Sequence, residues 1–314
     1  MSKQTNSKTI KTSIGGQAVI EGVMMRGPKL TALSVRMPDQ SISTETWDTP
    51  NSNKWYKKTP FIRGVFNFVE SLTDGYKSLM KAAEKAGLDD EEEEPSKFEQ
   101  KLRQLLGDKF MPFLQGCILL FSLAMALFFF AFLPTTLVGF FKDYISHPLA
   151  LSALEGLTKI AILILYLALI SNMSDIKRVF MYHGAEHKTI FCYEHGEELT
   201  VENVRKYTRF HPRCGTSFLV IVLLLSILVS SMVSWDNLWM RVGLKVLCLP
   251  IIMSLSYECI KFAGRHDNLF TRILSAPGLW TQRLTTREPD DSMIEVAIAS
   301  MKKVIPENPD EALF

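Results

Sequence analysis

Residues 113–133, FLQGCILLFSLAMALFFFAFL, run without one charged side chain. Roughly 20 apolar residues in helical form cross the ~30 Å hydrocarbon core of a bilayer, because a helix satisfies its own backbone polar groups there. This stretch therefore reads as a transmembrane helix. Three more follow at about 151–170, 216–235 and 242–260, and the third carries no charge until Asp236. The spacing predicts a mainly α membrane protein with four transmembrane helices. Glu155 and Lys159, four apart, are placed to pair along one helix face, and Lys245 can snorkel from the start of the fourth span.

The basic residues give an orientation. Lys177, Arg178, Lys188, Arg205, Lys206, Arg209 and Arg213 lie between spans two and three, and Lys261, Arg265, Arg272 and Arg283 at or beyond the end of span four. The other two links are short and nearly neutral, with Lys142 beside Asp143, and Arg241 with Asp236. Positive segments stay inside, so both termini are expected in the cytoplasm of a cell bounded by this inner (plasma) membrane. Residues 1–11 are polar and basic and do not resemble a cleaved signal.

That topology gathers the polar motifs at one face. His183-Gly184-Ala185-Glu186-His187 has the order H-x-x-E-H of inverted zinc hydrolases. On a helix it stacks two imidazoles on one side as metal ligands and sets Glu186 beside them as general base. His211-Pro212-Arg213-Cys214 runs into span three and offers an imidazole and a soft thiolate within one turn, both acceptable to zinc. Alternatively, His211 merely ends a loop before proline, and Cys214 is a small buried thiol at a helix start, where the dipole favours negative charge. Glu258, about 70 residues after the histidine motif, resembles in spacing the glutamate ligand of inverted zinc proteases. His266 and Asp267 offer a further ligand or a carboxylate that orients a ligand imidazole. His195, in a polar stretch with a glycine, reads as solvated surface.

Around this core the chain divides into a small α+β module at 13–87, an acidic linker and pre-membrane helix at 88–110, and a transmembrane domain at 111–262. The last includes the metal-site segment 171–215, and a C-terminal segment occupies 263–304. Glycines alternating with short apolar runs at 15–28, then 32–37, predict a hairpin or small sheet. Glu21 and Arg26, flanked by glycines, are either turn residues or a ligand and an anion clamp. Phe61, Ile62, Val65, Phe66, Val69, Leu72, Tyr76 and Leu79 recur at helical spacing, giving an apolar face that lies either on the membrane or under the sheet, with core packing as the default expectation. Pro277 and Gly278 read as a turn, and residues 290–303 as a helix packed back on the module.

Composition excludes other classes. With 47% hydrophobic residues and a net charge of +2, the chain has no basic surface for nucleic acid. Of five cysteines, Cys117, Cys248 and Cys259 fall within spans, which leaves no disulfide framework and agrees with a reducing face for Cys192 and Cys214.

The strings GGQAVIEGVMMRGP (15–28), FIRGV (61–65), YHGAEHK (182–188), HPRCGTSF (211–218), SYE (256–258) and PGLWTQRLTTREPDDSMIEVAIA (277–299) resemble the YqhQ-like family of bacterial membrane proteins. The resemblance covers about residues 14–303 apart from the acidic linker. It implies a metal-dependent enzyme of unassigned function, a description that rests on the same His and Glu residues.

Two readings follow. In one, a divalent metal, zinc by its donors, is held by His183, His187 and a third ligand among His211, Cys214 and Glu258. Glu186 then activates a water against a lipid or membrane-peptide substrate in the bilayer. In the other, the same residues form a structural site in a membrane scaffold or regulator.

Overall fold

The computed structural model describes residues 10–50, 54–87, 97–266 and 268–313, the side chains of 97–99, 108, 112, 309 and 310 excepted. The chain forms two units, one of residues 1–88, 166–222 and 251–314, the other of 89–165 and 223–250.

The first unit is built on a four-stranded antiparallel meander, β1 (Gly15–Val19), β2 (Gly22–Arg26), β3 (Leu30–Arg36) and β4 (Ile42–Asp48). The β1–β2 turn is tight, with Glu21 in the left-handed region at φ 50° and Val19 facing Gly22 across the ladder. β2 alternates its side chains between two apolar layers. Val23 and Met25 join Tyr182, Ala185, Met293, Ile294, Ala297 and Met301 in the main core. Val19 and Met24 join Leu33, Val35 and Ala82 on the opposite face.

Helix α1 (Arg63–Lys85) covers that second face through small residues: Gly75, Ser78 and Ala82 are buried. A Cβ on Gly75 would lie 2.5 Å from the Gln17 amide, so glycine lets that side chain lie against the helix. The apolar residues expected under the sheet point elsewhere: Phe66, Val69, Leu72 and Tyr76 are each about half exposed.

The main core is closed by α4 (Ser174–Glu194), the short α5 (Val201–Arg205) and α9 (Asp291–Val304). Asp290 caps α9 by accepting from the Met293 N–H, and Met293, Val296, Ala297 and Met301 are fully buried. The expected return of this helix onto the sheet is what the chain does. The predicted turn at Pro277-Gly278 is instead the interior of α8 (Leu269–Thr285). Gly278 lets that helix press against Ser217, whose Oγ would lie 2.4 Å from an added Cβ.

Among the described residues, three helices are long and apolar enough to cross a membrane: α2 (Phe113–Gly139), α3 (Pro148–Ile170) and α7 (Leu238–Arg265). In α2, Leu119, Leu120 and Phe121 are more than two-thirds exposed, as a lipid-facing surface requires. The expected third span falls on a shorter apolar helix, α6 (Gly215–Ser231), of 17 residues. At 1.5 Å per residue it reaches about 26 Å, short of a full hydrocarbon core. The helix stops at the Ser230-Ser231 pair, although Met232, Val233 and Trp235 continue the apolar composition beyond it. The architecture shown is therefore mainly helical, with a small antiparallel sheet and three candidate spans.

Candidate metal centre

Helix α4 presents His183, Glu186 and His187 to one side of the first unit. Gly184 on its other side marks a close approach, because an added Cβ would sit 2.1 Å from the Arg287 carbonyl oxygen. The segment after α8 thus runs along α4, tied by the Arg287 N–H to the Phe180 carbonyl at 2.8 Å and by Lys188 to Glu288. It also fixes a histidine. His183 Nδ1 lies 2.9 Å from the Thr285 carbonyl, and His187 Nδ1 lies 2.5 Å from the Arg209 carbonyl. A carbonyl only accepts, so both Nδ1 atoms carry the proton and both Nε2 lone pairs are free to bind a ligand.

Cys214 completes the set. One ligand atom from each of His183, His187 and Cys214 lies within 4.8 Å of the others, with His183 Nε2 3.1 Å from the sulfur. The Thr216 N–H and hydroxyl both point to that sulfur, at 3.4 and 3.3 Å. A tetrahedral ion bound at 2.0–2.3 Å needs donors roughly 3.3–3.8 Å apart, so these groups fit one after movements of about an ångström.

Glu186 is 4% exposed, and its Oε2 lies 3.9 Å from His183 Nε2. Burial raises its pKa above the ordinary carboxylate value, a shift opposed by His183 and by a hydrogen bond from the Gly16 backbone. Gly16 has no room for a side chain: its Cβ would meet Glu186 Oε1 at 2.9 Å and the Met24 carbonyl oxygen at 2.8 Å. Strand β1 therefore holds the carboxylate in place.

His211 stands beside this group rather than in it. Its ring centroid is 5.5 Å from that of His187, but its Nδ1 faces the Arg213 N–H at 3.3 Å and its Nε2 lies 3.8 Å from Glu194. Burial lowers its pKa to about 4, so it is neutral at neutral pH. Gln282 holds the loop by bonding both the N–H and the carbonyl of His211, each at 2.7 Å.

The other expected site residues are engaged elsewhere. Glu258 is gripped by Arg63 at 2.7 and 2.5 Å. Glu21 pairs with Arg178 at 2.5 and 2.6 Å and accepts from the Tyr182 hydroxyl, which makes it a tie from the hairpin turn to α4. Arg26 meets Glu70 at 2.6 Å and Asp74 at 3.5 Å on α1. Arg213 donates to the Thr12 carbonyl and to Glu194. His266 is exposed and stacks on Phe262 with centroids 4.3 Å apart. Asp267 lies outside the described residues.

Sequence reading passed over Glu194 and Gln282. Glu194 lies two helical turns beyond His187 on the same side, a periodicity that could have found it; it is 4% exposed and binds Arg213 and the Thr12 N–H. Nothing in the sequence singled out Gln282.

The donors open on a cavity of about 1090 Å³. Gly16, His183, Glu186, His187 and Cys214 line its polar side, Leu72, Tyr76, Phe180, Leu219 and Ile260 its apolar wall, and Lys261 and Arg265 also border it.

A family model described as "Protein of unknown function (DUF1385)" matches residues 59–307. The "Uncharacterized protein YqhQ" of Bacillus subtilis (strain 168) is 36% identical over 299 residues, 94% of this chain and 93% of that one. No solved structure matches.

Proposed function

The chain belongs to the DUF1385, YqhQ-like family, and on the geometry of its cavity we propose that it is a membrane-embedded, metal-dependent hydrolase. The observation that carries this reading is the placement of Glu186, a buried carboxylate beside three metal-capable donors at a large cavity. His183, His187 and Cys214 would hold a divalent ion, zinc being favoured by two imidazoles and a thiolate. When bound, such an ion supplies Lewis acidity and makes water a nucleophile near neutral pH.

The protein's own groups do the rest. Glu186 takes the proton of the attacking water and passes it to the leaving group, a task that suits a carboxyl whose pKa burial has raised. Thr285 and Arg209 keep the two imidazoles in the tautomer that presents Nε2. The apolar wall favours a substrate with lipid character, a lipid ester or a membrane peptide.

We place the cavity at the cytoplasmic face of the inner membrane, with both termini on that side. Residues from the first turns of α6 and the last turns of α7 line the same cavity, which supports α6 as a fourth, short crossing that the bilayer meets by local thinning. Reporter fusions at Lys142 and Arg205 should then lie on opposite sides.

The test is Glu186→Gln, which keeps the shape and removes the proton acceptor. The variant should retain one equivalent of zinc and fail to complement a null strain. Full complementation excludes hydrolysis through this residue and favours a structural metal site in a scaffold; lost zinc makes Glu186 a ligand.

A further inference from the structure

Helix α1 carries its large apolar side chains on the side away from the sheet it covers. Gly75, Ser78 and Ala82 are buried toward the strands. Ile62, just before the helix, and Phe66, Val69, Leu72, Tyr76 and Met80 form one stripe at intervals of three and four residues, and each is 38–57% exposed. The charged edge between the two faces is tied to the sheet, Glu70 and Asp74 by Arg26 and Lys81 by Glu45. These ties fix the rotation of the helix and keep the stripe turned outward. A continuous apolar face of this length marks a partner surface.

The start of α1 identifies that partner. Gly64 packs on α7, where an added Cβ would lie 2.7 Å from the Ser254 Cα and 3.0 Å from the Tyr257 Cβ. Ser254 is about three turns short of the end of α7 at Arg265, roughly 16 Å inside that apolar helix. Phe68 meets Phe218 on the first turn of α6, with ring centroids 5.5 Å apart. α1 therefore starts beside the interior of a candidate span, not beyond its end. The polar groups there are closed on one another: Glu258 accepts from the Arg63 guanidinium at 2.7 Å and from the Phe61 N–H at 3.4 Å, as charges beside a span require. Lys54, Trp55 and Lys58 precede the helix, all exposed, Trp55 at 70%. Basic and indole side chains of this kind suit a headgroup boundary.

We propose that α1 is an in-plane membrane helix, its outward stripe set among the acyl chains of the leaflet that surrounds the C-terminal half of α7. Leu72 and Tyr76 belong both to the stripe and to the wall of the cavity of about 1090 Å³, so the cavity meets the acyl layer along α1. A lipid-borne ligand then reaches the cavity sideways, without passing through water, whatever chemistry Glu186 performs.

Full-length protein carrying the photo-crosslinker p-benzoylphenylalanine at Val69, Leu72 or Met80, or as controls at Lys81 on the charged edge or Thr46 on β4, would be illuminated in nanodiscs of phosphatidylcholine and phosphatidylglycerol. Mass spectrometry should find lipid adducts at the three stripe positions and none at the two controls. No lipid adduct on the stripe would overturn the proposal, as would adducts equally strong at the controls. So would cross-links from the stripe to segment 97–106 of the same chain or to a second copy, since either would then be what covers the face. Val69→Asp checks the point without a probe: it should lower the melting temperature in nanodiscs, because a carboxylate would enter the acyl layer. An unchanged melting temperature, as at a solvated position, refutes the in-plane helix. Neither readout depends on Glu186 or on bound metal, so failure of the hydrolase reading leaves both standing.

Discussion

Glu186 and Glu155 are both buried glutamates on helices, and their surroundings are opposite. Glu186 faces a cavity, accepts a hydrogen bond from the Gly16 backbone, and among the described residues has His183 as its basic partner. Glu155 is enclosed by an arginine and two lysines that take both of its oxygens. The first, its pKa raised by burial, suits the proton transfer proposed for it, whereas the second is held in a polar knot. Burial alone therefore does not mark a reactive carboxylate; the supply of partners does.

The contrast breaks most directly at the metal donors. His183→Ala or His187→Ala should lower zinc affinity on the order of a thousandfold or more, beyond the 10–100-fold typical of losing an outer partner. Metal analysis after dialysis against a buffered zinc series checks it, and unchanged stoichiometry would remove the centre. At the other glutamate, Glu155→Ala should destabilise the protein by about 3–5 kcal/mol, because it strands buried basic groups. Denaturant or thermal unfolding in nanodiscs reads that loss, and a change under about 1 kcal/mol would mean the knot is not closed.

A third measurement separates charge from burial. His211 has its pKa lowered from 6.5 to about 4 in the folded protein, so between these values the unfolded chain binds more protons. Stability should be full above pH 6.5 and fall as pH drops toward 4, by about 3 kcal/mol in metal-free protein. His211→Gln should flatten that slope. The opposite sign applies to Glu186: its raised pKa makes the folded state bind the proton more tightly, so wild type should lose stability relative to Glu186→Gln as pH rises above 4.5.

Smaller effects sharpen the geometry. Gly16→Ala should cost about 1–3 kcal/mol by overpacking against Glu186, and should depress activity while leaving zinc content intact. Arg26→Ala should change stability by less than about 1 kcal/mol, since its pairs with α1 are partly solvated. A larger loss of activity than of stability in that variant would return Arg26 to the site.

The helical character and the core of the site were legible because they are local. Hydropathy over about 20 residues located α2, α3 and α7, and the spacing of His183 and His187 put two imidazoles on one helix face. The short sheet was legible from its glycines. What escaped was decided by partners distant in sequence. Glu258 looked like a ligand until Arg63, 195 positions away, was seen to hold it. Glu155 and Lys159 looked like a simple i,i+4 pair because nothing local announces Arg241 and Lys245. α6 looked like a full span because apolar composition continues past the serines that end the helix. Pro277 looked like a stop because the helix that tolerates it is stabilised by packing of Gly278 on Ser217.

The hydrogen bond from His183 to the Thr285 carbonyl has a consequence for biogenesis. The ribosome makes the histidine motif about 100 residues before it makes the backbone atom that sets the ring's tautomer. At about 5–20 residues per second, that interval is roughly 5–20 s. For that time the donors exist without their orienting partner, and without α9 to close the core behind them. A nascent chain that captured a metal early would do so in the wrong arrangement. On the proposed metal reading, loading would follow the synthesis of Thr285, and a chain truncated before it should remain metal-poor however well its helices insert.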